Sequence, residues 1–475
     1  MSLVLTINGK VNTDCHISEQ ELRMSTQGRR MSTEVTIRLD DVIGIETNES
    51  ELNVSSDQSK ATKLNLLCKV HYITREKLIW KQETLFVTGQ VEECERFISD
   101  LQLHFKKVHD TRPKRLLVLV NPISGGRYGQ SNSKRIIPLF ELAGITCDVK
   151  VSEREKHFLE IVSRYDFTTV DGIVIFGGDG SFSEVLCNLL RVTHEKAGLD
   201  YNDINGPFTT NPVPIGLIPS GTGNGMSVIE YGNNDMITAA LHIIKGNTRK
   251  IPVMAEYCDD ELLGYASVIS AYGLFADMLY YIDQYRWMRR ARYLFGIIYW
   301  MFMKSQRLFD AEITLTGSQL CERNDEEGKT TEEKIEGEFS AVGFIPAKSL
   351  GISAGEVIVL LFHQTPKSHL LRLFMTMAKR EALRQEDYPT ILIRQPNSVR
   401  VKVNPKDLGD TNFLNYIMHI DGEIQTMKKA ELTMKSIPDA VNVFSSLHLY
   451  SYPDSQPSVS TTESTSSSRA CASDT

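Results

Sequence analysis

Residues Ile173–Leu186 read IVIFGGDGSFSEVL, an apolar run that ends in three glycines around one carboxylate, Asp179, and continues with helical spacing. A carboxylate standing clear at the end of a buried strand can orient a hydroxyl and take its proton. Two further glycine-rich stretches accompany it, NPISGGRYG at 121–129 and PSGTGNGMS at 219–227. Glycines let the chain turn with positive φ and bring phosphate oxygens close to main-chain N–H groups. Helices that start after such loops add positive potential for an anion. Together the three stretches point to a polyphosphate ligand, with Gly177, Gly178 and Gly180 leaving Asp179 accessible. Two plainer readings stand beside this one. Asp between glycines also forms ordinary turns, and Ser181-x-x-Glu184 has capping-box spacing at the start of a helix.

The elements that must position these loops alternate. The pattern predicts a strand ending at Asn121, a helix near 131–143, a strand at 147–151, a helix near 155–164 and a strand at 171–176. A helix from Ser181, a strand at 213–219 and a helix after Gly225 follow. Such a rhythm implies a doubly wound, Rossmann-like parallel sheet with helices on both faces, and ligands sit at the carboxyl ends of its strands. Beyond residue 249 strand-rich segments predict an antiparallel β-sandwich, interrupted by a helical region at 278–306 and a solvated loop at 317–334. Before it, residues 1–108 predict a small β-rich, pleckstrin-homology-like module. Its closing helix carries Val91, Cys94, Phe97, Ile98, Leu101 and Phe105 on one face. The expected division is 1–108 regulatory module, 112–248 nucleotide-binding domain, 249–450 lipid-binding sandwich and 451–475 disordered tail.

Bulk properties narrow the classes. A formal charge of −8 gives no global field for nucleic acid, so none is expected as a partner. Eight cysteines form no C-x-x-C pair, which fits a reduced, cytoplasmic chain. The bulky apolar run YLFGIIYWMFM at 293–303 is too short for a spanning helix of about 20 residues, so any membrane contact is expected to be peripheral and reversible. There is no G-x-x-x-x-G-K-[ST], Met226 breaks the G-x-G-x-x-G pattern, and the H-R-D and D-F-G set of protein kinases is missing.

The set VNPISGG, GGDGSFSEVL and IPSGTGNGM, with the later YGLFAD, QYRWMRRARY and HIDGEI segments, resembles the diacylglycerol-kinase catalytic domain of lipid kinases, and within it sphingosine and ceramide kinases. The resemblance runs from about residue 112 to 445. It implies ATP-dependent phosphorylation of a lipid hydroxyl with Mg²⁺ carried by ATP. It places Asn121, Pro122, Ile123, Ser152, Glu153, Arg154 and Glu184 on the nucleotide, and Gly221, Thr222 and Gly223 in a phosphate cradle. Gly177 to Gly180 would meet the substrate head group, with Asp179 as base. Arg286 and Arg292 would reach the phosphates, and Asp421, Gly422 and Glu423 would lie near nucleotide and metal. An Asp-Gly pair is equally a hairpin turn. Arg286 and Arg292 are about 120° apart on an unbroken helix, so one helix does not present both.

The resemblance also bears on the lipid. The GTGNGM loop looks like sphingosine kinases, whereas IIPLFELAGI and SEVLCNLLRVTHEKAGLDYND look like ceramide kinases. The intact third glycine loop and the lack of a cysteine-rich stretch before DGE favour a sphingoid base, with ceramide kinase or a non-catalytic lipid-binding homologue as alternatives. NAD kinase also uses a GGDG loop, but the long apolar-rich second domain argues against a wholly polar substrate. The resemblance to sphingosine kinases implies a second acid two residues after Asp277, to pair with the substrate ammonium, and this chain departs from it with Leu279 there. Asp283, one turn further, is the expected substitute.

Overall fold

The computed structural model describes residues 3–8, 10–27, 32–48, 65–109, 111–288, 306–317, 332–346, 357–379, 383–404 and 413–446, with Ala291, Arg292, Phe295, Gly296, Ile298 and Tyr299 between. The expected tail at 451–475 lies outside the described residues.

At the N-terminus β1 (Leu3–Ile7), β2 (Lys10–Ile17), β3 (Glu21–Gln27), β4 (Ser32–Arg38), β5 (Val42–Asn48), β6 (Asn65–Glu76) and β7 (Ile79–Gln90) form one antiparallel sheet, in the order β4-β3-β2-β1-β7-β6-β5. Helix α1 (Val91–His109) closes it, because Cys94, Phe97, Ile98 and Leu101 recur at helical spacing and bury against Leu5, Leu22, Val70 and Val87. Trp80, Ile73 and Ile43 do not join that core. They pack instead against the next domain.

There, β8 (Arg115–Val120), β9 (Thr146–Val151), β10 (Gly172–Gly177) and β11 (Ile215–Pro219) lie parallel in the order β11-β10-β8-β9, as the alternating pattern requires. The central strands are wholly apolar because helices cover both faces. One face carries α2 (Ser124–Arg127), α3 (Gly129–Leu142), α6 (Gly225–Tyr231) and α7 (Met236–Lys245). On the other lie α4 (His157–Arg164) and α5 (Asp179–Lys196). Helix α5 begins two residues before the expected Ser181, with Gly178 as an extended N-cap, so Ser181 sits inside the helix and the capping box does not form.

The remaining strands are β12 (Thr248–Cys258), β13 (Glu261–Ala266), β14 (Ser270–Gly273), β15 (Phe309–Thr316), β16 (Glu332–Phe339), β17 (Ala341–Pro346), β18 (Val357–Phe362), β19 (Ile391–Arg394), β20 (Ser398–Val403), β21 (Ile417–Ile420), β22 (Glu423–Thr426) and β23 (Glu431–Phe444). Two helices, α8 (Leu274–Asp283) and α9 (Lys367–Lys379), are set among them. Strand β23 pairs parallel to β11 and antiparallel to β12 and β20, so a single ten-stranded sheet continues from the parallel, Rossmann-like fold into the sandwich. The six-stranded sheet β19-β18-β17-β14-β21-β22 packs over its antiparallel half, with Met254, Tyr272, Phe309, Phe344 and Met418 between the layers. Two local expectations need correction. Residues 332–334 of the expected loop belong to β16, which pairs along its full length with β15. The helical region starts earlier, at Leu274: α8 ends at Asp283, a turn follows at Arg286–Met288, and Ala291, Arg292, Phe295, Gly296, Ile298 and Tyr299 are again helical, within the expected span.

Candidate functional site

Because β8, β10 and β11 are neighbours, their carboxyl ends place the three glycine loops side by side. The Asn121 amide donates to the Phe176 carbonyl at 3.0 Å, and the Ser220 amide to the Gly177 carbonyl at 2.8 Å. The Ser152–Arg154 turn arrives at the same edge, its Ser152 amide bonded to the Val120 carbonyl at 2.8 Å. Within it Ser152 Oγ donates to the Arg154 carbonyl, the Glu153 amide donates to His157 Nδ1, and Arg154 pairs with Glu160. Asn121 holds the first loop to the second, donating from Nδ2 to Ser181 Oγ at 3.0 Å. Its Oδ1 accepts from the Ile123 amide, and the Ile123 side chain remains exposed after Pro122.

Asp179 is not the free carboxylate that its glycine neighbours suggest. Its Oδ2 accepts from the Gly225 amide at 2.8 Å and its Oδ1 from the Met226 amide at 3.0 Å, and its own amide donates to the Gly223 carbonyl. Burial raises its pKa above the usual carboxylate range, and the two amide bonds oppose that shift. The group is therefore oriented by the third loop and biased towards taking a proton.

The glycines serve close approach of loop to loop. A Cβ on Gly178 would stand 2.6 Å from the Gly223 carbonyl oxygen and 3.0 Å from Gly221 Cα. One on Gly221 would stand 2.4 Å from Gly178 Cα. Gly177 abuts Ser181, and Gly180 abuts Glu423, whose Oε1 would lie 2.9 Å from an added Cβ. Thr222 follows Gly221 on the cavity described below.

Glu184, one helical turn along α5, faces the start of α4. Burial raises its pKa, against the amides of Phe158 and Leu159. Asp421 and Gly422, with φ of 47° and 89°, make the two-residue turn between β21 and β22. The turn and the functional reading coexist, because the Asp421 carboxylate reaches back into the site. Its Oδ2 accepts from the Ser267 amide and hydroxyl at 2.8 and 3.0 Å, and its Oδ1 from the amides of Val268 and Ile269 at 2.8 and 2.9 Å. Burial, partly offset by those amides and reinforced by nearby Asp179, lifts its pKa to about 6. With all of these bonds made inside the protein, Asp421 is a brace. Glu423, exposed beside Gly180, is the carboxylate of this turn that faces outward.

The other candidates sit on α8 or follow it. Asp277 is fully buried and holds Arg307 by two bonds, Nε to Oδ2 at 2.9 Å and Nη2 to Oδ1 at 3.1 Å, while Arg307 also reaches the Asn415 side chain. Leu279 is buried on α8. Asp283 pairs with Arg292 at 3.1 Å, so the acid expected to meet a cationic head group already has a cation. Arg292 lies beyond the end of α8, and the Arg286 side chain lies outside the described residues.

A cavity of about 500 Å³ opens beside the loops. Gly125, Tyr128 and Asn132 line it from the first loop and α3, Pro219 to Thr222 from the third loop, and Asn234, Asp235 and Met236 from the turn before α7. Gly125, with φ of 61°, lies so close to the Ser220 carbonyl that a Cβ would stand 2.1 Å from it. Of these residues the sequence pointed to Gly221 and Thr222. Gly125 and Tyr128 belong to the first glycine stretch and Pro219 and Ser220 to the third, whereas Asn132 and Asn234–Met236 carry no motif. Glu256 also had none. It is fully buried on β12, accepts from Ser270 Oγ, and burial lifts its pKa to about 8, with Asp421 adding to the shift. Among the described residues no three His, Cys, Asp or Glu side chains gather as a metal cluster, and no described helix is long and apolar enough to cross a membrane.

Residues 115–255 match the family model of the diacylglycerol kinase catalytic domain. The chain is 33% identical over 223 residues to the human protein called ceramide kinase, covering 47% of this chain and 41% of that one. It is 29% identical over 297 residues to sphingosine kinase 1 of Arabidopsis thaliana, covering 61% and 56%. The chain thus spans about half the length of the curated relatives it matches.

Proposed function

We propose, from the match of residues 115–255 to the diacylglycerol kinase catalytic-domain model, that the chain transfers the γ-phosphoryl group of ATP to the primary hydroxyl of a sphingoid lipid. The carrying observation is the convergence of three glycine loops on Asp179, whose carboxylate is held by the Gly225 and Met226 amides. Phosphoryl transfer depends mainly on positioning and charge stabilisation. In this reading the cavity takes the nucleotide, with main-chain amides of the Gly221–Gly223 loop on its phosphates. Asp179, with its raised proton affinity, orients the lipid hydroxyl and takes its proton as the oxygen attacks phosphorus and ADP leaves. Asp421 keeps the 267–269 strap in place behind Asp179.

The residues present fit Mg²⁺ carried largely by phosphates, a mode that needs only one or two protein carboxylates. Glu423, exposed beside Gly180, is the carboxylate that would hold it. Bound there, the ion would neutralise charge on the phosphates. In this reading the lipid is met peripherally and reversibly at a membrane surface in the cytoplasm.

For the acceptor, the pairing of Asp277 with Arg307 and of Asp283 with Arg292 favours an uncharged N-acyl sphingoid lipid, ceramide, over a free sphingoid base. An ammonium would have to displace an arginine from either acid. The GTGNG loop supports sphingosine as the second reading. The test is transfer from radiolabelled ATP to ceramide, sphingosine and diacylglycerol offered in parallel. Labelling of ceramide above sphingosine is expected, the reverse order would restore the sphingoid-base assignment, and no labelling of any lipid would overturn the kinase reading.

A further inference from the structure

The N-terminal sheet bonds, through the β6–β7 hairpin, to Asn233 and Thr238 on either side of the cavity wall. Strands β6 and β7 turn at Lys77–Leu78, with Lys77 at a φ of 57°. The Leu78 carbonyl accepts from Asn233 Nδ2. Asn233 Oδ1 in turn accepts from the Asp235 amide at 2.8 Å, and its carbonyl accepts from Ser227 Oγ at 3.0 Å. Two residues along β7, the Trp80 amide donates to Thr238 Oγ1 at 3.0 Å, and that hydroxyl lies 2.9 Å from Asp235 Oδ1. The same Asp235 oxygen accepts the Thr238 amide at 2.7 Å and so caps α7.

The cavity wall formed by Asn234, Asp235 and Met236 is therefore held between two anchors, and both anchors end on the hairpin. The wall needs them. It follows Gly232, at a φ of 83°, and Asn233, Asn234 and Asp235 are polar residues none of which is buried, while Met236 packs partly against the core of the parallel sheet. The hairpin in turn is fixed by its indole. Trp80 is nearly buried, packs on His242 with ring centroids 3.8 Å apart, and has the Arg75 guanidinium 4.4 Å from its ring. His242 stacks on Tyr231, whose hydroxyl accepts from the Leu217 amide on β11, the strand that leads into the third glycine loop.

We infer that the Arg75–Trp80 hairpin is the outer support of the nucleotide cavity, with Asn233 and Thr238 as positioning residues that couple the N-terminal module to nucleotide affinity. The inference rests on the nucleotide reading of that cavity. It assigns the module a part in the site itself, and losing either hydrogen bond between the hairpin and the residues that flank the wall would change the hold on ATP.

The test uses the full chain and three variants, Asn233→Ala, Thr238→Val and Lys245→Met. Lys245 ties the far end of α7 to the module through Asp40 at 2.8 Å and Asp41 at 3.3 Å, away from the wall. Mg-ATP affinity by calorimetry, KM for ATP, KM for the lipid and Tm are measured for each. Asn233→Ala and Thr238→Val are expected to weaken ATP about three- to tenfold with the lipid KM unchanged, the effect of losing about one net hydrogen bond. Lys245→Met is expected to lower Tm while binding ATP as the wild type does. Unchanged ATP affinity in both wall variants, or an equal loss in Lys245→Met, overturns the inference while leaving the kinase reading intact. Failure of the wild-type chain to bind Mg-ATP overturns the nucleotide reading and this inference with it.

Discussion

Asp179 Oδ2 lies 2.8 Å from the Gly225 amide, so the acid of the second glycine loop also anchors the helix that follows the third. The proposed orientation of the acceptor hydroxyl and the assembly of the loops thus share one side chain, and a change at Asp179 is expected to have two consequences.

Replacing Asp179 by Asn keeps the shape but sets an NH₂ group against one of the two amides. Turnover is expected to fall about 10²–10⁴-fold through loss of the base. Stability is expected to fall by about 1–3 kcal/mol, because a donor then faces a donor. Phosphoryl transfer and urea unfolding on the same sample check both. Full activity in the Asn variant would remove Asp179 from the base role.

The glycines should differ in kind. At Gly178 or Gly221 an added methyl meets backbone within 2.4–3.0 Å and forces the second and third loops apart, an overpacking expected to cost about 1–3 kcal/mol. At Gly223 the sole near neighbour is Asp179 Oδ2, at 3.1 Å. Gly223→Ala should therefore keep its Tm near that of the wild type and lose transfer activity, a split that paired melting and kinetic measurements would show.

Glu256 predicts a pH dependence of stability. Its pKa rises from 4.5 to about 8 on folding, chiefly through burial. The folded chain then holds a proton that the unfolded chain has released, so stability is fully present below the ordinary carboxyl range and declines as pH rises towards about 8. The slope per group approaches about 1.4 kcal/mol per pH unit. Glu256→Gln retains an acceptor for Ser270 and should flatten the fall between pH 6 and 8. Parallel slopes for variant and wild type in denaturant titrations would refute the assignment.

The buried Asp277–Arg307 pair should behave as structure. Asp277→Ala leaves the guanidinium without its main partner and is expected to cost about 3–5 kcal/mol, whereas Asp277→Leu with Arg307→Met should recover most of that. Urea unfolding of the three chains checks the order. A double variant as stable as the wild type but unable to phosphorylate lipid would move Asp277 back into substrate binding.

Much of the fold was legible because it rests on local pattern. The runs RLLVLV and GIVIF have to be buried strands, helical spacing follows each, and the N-terminal closing helix shows its apolar face residue by residue. Local pattern misled where a side chain bonds far along the chain. Ser181-x-x-Glu184 has the spacing of a capping box, yet Ser181 accepts from Asn121 and α5 starts at Asp179. Asp421–Gly422 reads as a hairpin turn and is one, but its carboxylate is spent on amides 152 to 154 residues away.

The sequence by itself determined the three glycine loops, the acid among them and the alternation that sets them at strand ends, since glycine spacing and hydrophobic period are properties of neighbouring residues. Tertiary structure alone decided that Asp179 is clamped by Gly225 and Met226, that Asp277 and Asp283 are already paired with arginines, and that a hairpin of the N-terminal module supports Asn234–Met236. Each of these depends on which distant groups share a small buried volume. That is settled by strand order and domain docking, which no local spacing encodes.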